Sequence, residues 1–161
     1  MIVSAASLEE RFPGRAVSPL GALQLEKRGW GGKAEEGEEN LLELSGKIIG
    51  SALRVHSALG PGLLEHAYEA CLCRALSTDH LTFMKQQEIA LHFEGLNLDC
   101  GFRLDLLVED RIVVEIKAVP QILSLHLAQL RTYLKLSGRP LGLIINFNVL
   151  HLRDGIRQVR I

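Results

Sequence analysis

The sequence predicts a mixed α/β layer fold. Three observations carry that expectation. Two stretches with helical spacing come first, a series of strand-length runs follows, and a third helical stretch separates two of the most apolar runs. The order along the chain is α-α-β-β-β-α-β-β, which implies packed layers of helix and sheet.

The first helix begins at Asn40. Leu41, Leu44, Ile48, Ala52, Val55 and Leu59 recur at spacings of three or four, which is one face of a helix. Gly60-Pro61-Gly62 breaks it and reads as a rigid turn; no Gly-Lys-Ser/Thr follows, so it is not a phosphate loop. A second helix over about residues 63–77 places Leu64, Ala67, Tyr68, Cys71, Leu72 and Ala75 on its apolar side. Glu65 stands in its first turn, where a negative charge suits the helix dipole.

Strands come next. Residues 82–92 have mixed polarity, Glu94-Gly95 reads as a turn, and residues 96–108 make one or two further segments. Glu109-Asp110 interrupts, residues 112–119 resume, and Pro120 ends that strand because it cannot donate to a ladder. Ser124 is placed as the N-cap of a helix running to about Leu136 and closed by Gly138. The run LGLIINF, residues 141–147, has no polar interruption until its asparagine and reads as a buried central strand. Residues 156–161 add a short edge strand.

Residues 1–38 differ from the rest. They hold Pro13 and Pro19, six glycines, the start of an acidic run and little periodicity, and are expected to be a disordered extension before a domain spanning 39–161. The 161 residues suit one domain with a real core, and a composition of 47% hydrophobic and 23% charged residues is ordinary for a globular protein. No apolar run approaches the roughly 20 residues of a membrane span. The opening MIVSAASLEERFPGR does not read as a secretory leader. Cys71, Cys73 and Cys100 have neither zinc nor redox spacing, so reduced thiols and a cytoplasmic location are expected. Net charge is −1, divided as 5 − 8 = −3 over residues 1–45 and 13 − 11 = +2 over residues 46–161; neither part is a nucleic-acid footprint by itself.

The stretch VVEIKAV, residues 113–119, concentrates the chemistry. Glu115 and Lys117 share one strand face among aliphatic neighbours, and burying either charge unpaired costs several kcal/mol. The preceding strand, Phe102-Arg103-Leu104-Asp105-Leu106-Leu107-Val108, holds a similar isolated acid. A two-residue connection at 109–110 would set Asp105 against Val114 and turn Glu115 away; a three-residue connection, 109–111, would set Asp105 directly opposite Glu115. Two carboxylates so placed repel each other, and a divalent cation reverses the sign of that interaction. Hard oxygen ligands with water completing the shell suit Mg²⁺ or Mn²⁺. Lys117 would reach the same pocket and could hold a water or stabilise charge on a phosphate. A plain ion-pair cluster is the alternative for these three residues.

Asp105 followed by Glu115-Ile116-Lys117 resembles the D…(D/E)xK signature of the PD-(D/E)XK nuclease superfamily. Gly62-Leu63-Leu64-Glu65-His66-Ala67-Tyr68 resembles the GxxExxY motif of an uncharacterised bacterial family assigned to it. VHSALGPGLLEHAYEACL, LDCGFRLDLLVEDRIVVEIKAV, HLAQLRTYLKLSG and LGLIINFNV look like that family in the same order, so the resemblance covers residues 40–161. Gln129-Leu130-Arg131-Thr132-Tyr133 is similar to the QxxxY element of RecB-like exonuclease domains. Leu104 stands where the superfamily signature has proline.

The resemblance implies a restriction-endonuclease-like core and a metal-dependent nuclease acting on nucleic acid, with DNA favoured, in which a metal-activated water attacks the phosphorus. It implies Asp105, Glu115 and the Ile116 carbonyl as metal ligands, Glu65 as a further ligand or water positioner, and Lys117 as the catalytic lysine. Gln129, Tyr133, Arg103 and Tyr68 are candidates for substrate contact. Each keeps a structural alternative: a solvated amide, a packed ring, a salt bridge, a core tyrosine. His56, His66 and His126 lie near the motifs and are either packing residues or titratable site groups. Two rival functions remain at this stage: a nucleic-acid-binding or assembly module on a nuclease-like scaffold, working alone, with a partner or as a homodimer, and a small-molecule enzyme using the same pocket.

Overall fold

The structure, a computed structural model, describes residues 33–161. Helix α1 (Lys33–Leu59) is followed by α2 (Glu65–Thr78), the strands β1 (Phe83–Phe93), β2 (Leu96–Val108) and β3 (Ile112–Lys117), helix α3 (Ser124–Ser137), strand β4 (Leu141–Asn146), a 3-10 turn over Leu152–Gly155, and strand β5 (Ile156–Arg160). This is the expected order. The first helix starts earlier than Asn40, at Lys33, so residues 33–38 of the expected extension are helical; residues 1–32 lie outside the described residues.

The five strands lie in the order β1-β2-β3-β4-β5, antiparallel except for the β3–β4 pair. The parallel pair needs a crossover, and α3 supplies it. One face of the sheet carries α1 and α2: Leu44, Ile48, Ala52, Val55, Tyr68, Leu72 and Leu76 pack on Leu106, Val108, Ile112, Val114, Ile116, Leu143 and Ile145. The other carries α3, with Leu130, Tyr133 and Leu134 on Ile89, Leu104, Leu107, Val113, Ile144 and Val159. The result is a three-layer α/β/α fold. β3 and β4 lie under helices on both faces, which is why their sequences read as continuous apolar runs rather than as alternation.

Local chemistry explains the joints. Gly60 and Gly62 have φ of +66° and +103°, so the turn between the first two helices uses backbone that side chains disfavour. At Gly142 a Cβ would stand 2.7 Å from a Leu130 methyl, so the absent side chain lets α3 settle onto β4. Ser124 is the first helical residue of α3 and not its cap. His126 does the capping, its Nδ1 accepting from the Leu123 N–H at 3.1 Å. Leu59, expected on the buried face of α1, is its last residue and is 42% exposed.

Candidate functional site

The β2–β3 connection decides the site. Val108 pairs with Ile112, so residues 109–111 form a three-residue connection, with Glu109 and Asp110 at φ of +52° and +54° and Arg111 N–H donating to Val108 C=O at 3.0 Å. Leu106 pairs with Val114, a register that sets Asp105 opposite Glu115.

The β2–β3 ladder stops at that Leu106–Val114 pair, and the strands part. Amides of β3 that would have met β2 need other acceptors. Two acidic side chains provide them. Asp105 Oδ2 accepts from Ile116 N–H at 2.8 Å, and Glu65 Oε1, reaching in from the first turn of α2, accepts from Ala118 N–H at 3.1 Å. The D…ExK and GxxExxY motifs thus meet at one split in the sheet.

Behind the split Glu115 is 4% exposed, and its carboxylate lies 3.4 Å from Lys117 Nζ. Burial, then the charge of Asp105, pushes the Glu115 carboxyl up to about 7, with Lys117 and the Asp105 N–H opposing. Burial raises Asp105 too, with Glu69 and Glu65 adding to it, against the Ile116 amide and Lys117. Glu115 Oε1 is buried with no hydrogen-bond partner.

In one respect the geometry corrects the expectation. The three ionic groups do not simply share a face. Glu115 and Lys117 alternate with Ile116 and so take the α3 side with Val113, where their charges act on Tyr133. Asp105 instead lines an open cleft of about 530 Å³ on the α2 side, together with Leu63, Leu64, Glu65, His66, Glu69 and others. The groups approach one another through the split, not across a flat face.

Of the substrate-contact candidates, Gln129 and Tyr133 are joined, Gln129 Nε2 donating to Tyr133 Oη at 2.8 Å, and Tyr133 feels Glu115, Lys117 and Asp105. Tyr68 is corrected to a structural role. It is fully buried, its ring is stacked on Phe147 with centroids 4.5 Å apart, and its hydroxyl donates to Gly60 C=O at 2.6 Å and accepts from Leu63 N–H at 3.1 Å. The motif therefore divides its labour. The glycine bends the chain, the tyrosine bolts the bend, and the glutamate is delivered to the split. Arg103 pairs with Glu88 at 3.0 Å on the exposed surface and does not neutralise Asp105. His56 binds Val149 C=O at 2.8 Å, and only His66 of the three histidines lines the cleft.

Glu69 and Gln86 were not singled out in the sequence, yet both line the cleft. Glu69 follows Glu65 by four residues and shares its helix face, a signal that was available. Gln86 gave none. Asn146, also unflagged, is buried and holds the end of β3 by exchanging two hydrogen bonds with Val119, at 3.0 and 2.8 Å.

The donor set suits a hard divalent cation: two carboxylates of raised pKa that approach through the split from opposite sides of the sheet, one oxygen without a partner, and a strand carbonyl at Ile116. Among the described residues no three His, Cys, Asp or Glu side chains are gathered at metal-ligand spacing, so the protein donors amount to two carboxylates and main chain, with Glu65 bound to an amide.

A mixed sheet with helices on both faces, split beside an acid and an ExK strand, defines a restriction-endonuclease-like fold. The chain matches the model of the PD-(D/E)XK nuclease superfamily over residues 42–159 and belongs to that superfamily. Its members are nuclease-type phosphodiesterases that generally use divalent metals. No curated protein and no solved structure matches the chain. Among the described residues no helix is long and apolar enough to cross a membrane.

Proposed function

We propose that this chain is a Mg²⁺- or Mn²⁺-dependent phosphodiesterase of the GxxExxY type that cleaves nucleic acid, with DNA the first substrate to test. One observation carries the reading: the buried Glu115 carboxylate has one oxygen, Oε1, without a hydrogen-bond partner, holds Lys117 at 3.4 Å with the other, and is opposed by the charge of Asp105. An ion pair alone would leave one negative charge unmatched in a buried setting, which is unfavourable by several kcal/mol.

Asp105, Glu115 and the Ile116 carbonyl would hold the cation, and Glu65 would join them on releasing the Ala118 amide. The cation, when bound, supplies Lewis acidity and a more acidic water. Lys117, partly buried, orients the attacking water and offsets negative charge developing on the phosphoryl oxygens. Gln129 and Tyr133 are already hydrogen-bonded to each other, Tyr133 feels the charge of Lys117, and the pair contacts the scissile phosphate or its neighbour.

The test is cleavage of end-labelled single- and double-stranded DNA and RNA, with Mg²⁺, Mn²⁺ or a chelator, by the natural chain and by Lys117→Ala. Metal-dependent products made by the natural chain and absent with the variant support the reading. Absence of products on every substrate and metal overturns it.

A further inference from the structure

The rung of the β1–β2 ladder beside the site is missing. Lys85 pairs with Leu106 and Gln87 with Leu104, in one register, but Gln86 and Asp105 between them do not pair. Gln86 has φ of +49°, a left-handed conformation that is uncommon and strained for a residue with a side chain.

The side chains show what this conformation does. Along a regular strand, residues two apart share a face. Phe83 packs on the α1–α2 side and Ile89 on the α3 side, although their spacing is even. On β2, Leu106 packs on the α1–α2 side and Leu104 on the α3 side. Both strands change face at the same rung, the one holding Gln86 and Asp105. Lys85 and Gln86, which are adjacent, consequently reach the same residue of α2. Lys85 Nζ holds Glu69 Oε1 at 3.0 Å, and Gln86 Nε2 holds Glu69 Oε2 at 2.8 Å. Two hydrogen bonds to one carboxylate offset the backbone strain.

We propose that Gln86 is a positioning residue: its left-handed backbone, clamped with Lys85 onto Glu69, breaks the rung and turns Asp105 into the cleft, where it meets Ile116 N–H and the split. A regular strand here would bond Asp105 into the ladder and direct its side chain to the α3 side with Leu107. The clamp also fixes α2 one turn beyond Glu65, so Glu65 and Asp105 are set by the same contact. The functional importance of this placement rests on the phosphodiesterase reading; the geometric claim does not.

The conformation and the amide are separable by substitution. Gln86→Gly accepts positive φ without the side chain, whereas Gln86→Val strongly disfavours it and favours a regular strand. The readout independent of activity is amide hydrogen exchange at Ile116, protected by the Asp105 carboxylate. Gln86→Gly should keep that protection. Gln86→Val should lower it about tenfold or more, as expected when a hydrogen bond to a charged acceptor is lost. It should also weaken Mn²⁺ affinity measured by calorimetry and lower kcat more than it changes KM. If Gln86→Val does not fold, Glu69→Ala, which removes the clamp, should lower Ile116 protection relative to Gln86→Gly.

Equal Ile116 protection in the natural chain, Gln86→Gly and whichever of the other two variants is read overturns the proposal. If protection follows the expected pattern while the natural chain neither binds Mn²⁺ nor cleaves, the positioning stands and the phosphodiesterase reading falls.

Discussion

Replacing Glu115 by glutamine should make the metal-free protein more stable at alkaline pH, even though the substitution removes a site residue. The buried carboxyl titrates near 7 in the folded chain against an ordinary value of 4.5. Between those values the folded state retains a proton that the unfolded state has released, so stability falls as pH rises through the window. The shift from 4.5 to about 7, at 1.36 kcal/mol per unit, amounts to about 3 kcal/mol, fully developed above pH 7 and absent below 4.5. Glutamine keeps the shape and never ionises. The repulsion between Glu115 and Asp105 is part of that shift, and glutamine removes it. The attraction of Lys117 at 3.4 Å grows as Glu115 ionises, and it is already contained in the net shift to about 7. Urea unfolding of both proteins in chelator at several pH values from 4.5 to 8 gives the difference. Its change with pH, in favour of Glu115→Gln, is expected to total about 3 kcal/mol. Mn²⁺ added at pH 8 should stabilise the natural chain and leave Glu115→Gln almost unmoved, since a ligand stabilises the state that binds it. A difference that is flat with pH, or that favours glutamate as pH rises, refutes the picture of two crowded carboxylates.

Three further outcomes follow from named contacts. Lys117→Ala should leave the circular dichroism spectrum intact yet reduce single-turnover cleavage by about 100-fold or more, the usual loss when a charge-stabilising donor is removed. Tyr68→Phe should leave the Gly60 carbonyl and Leu63 amide without their shared hydroxyl and destabilise the fold by about 1–3 kcal/mol in denaturant titration. Gly62→Ala meets no atom within 4 Å, so its effect is purely that of backbone at φ +103°; about 1–3 kcal/mol of lost stability is expected by the same titration.

Much of the fold was legible because its signals are local. The spacing of Leu44, Ile48, Ala52 and Val55 marks a buried helix face, and all four are buried. The unbroken apolar runs of β3 and β4 announce strands covered on both sides. The GxxExxY, D…ExK and QxxxY residues could be picked out one by one, since each motif is a short local pattern. Their roles were less legible. Tyr68 looked as much like a substrate contact as a core ring, because a buried hydroxyl and a catalytic one leave the same letter. Gln86 and Glu69 stayed hidden since their relation is a contact between a strand and a helix seventeen positions apart.

By itself, then, the sequence determined the helices and the strands and singled out the acids and the lysine of the candidate site, because periodicity, turn chemistry and short motifs act over a few neighbouring residues. Only the tertiary structure decided how those groups approach one another. The length of the β2–β3 connection set Asp105 opposite Glu115, and a left-handed residue on a third strand sent the aspartate to the other side of the sheet. The parting of β2 from β3 then left two amides for Asp105 and Glu65 to bind. Each of these depends on which backbone groups find partners across the sheet, and that is fixed only when distant segments are packed together.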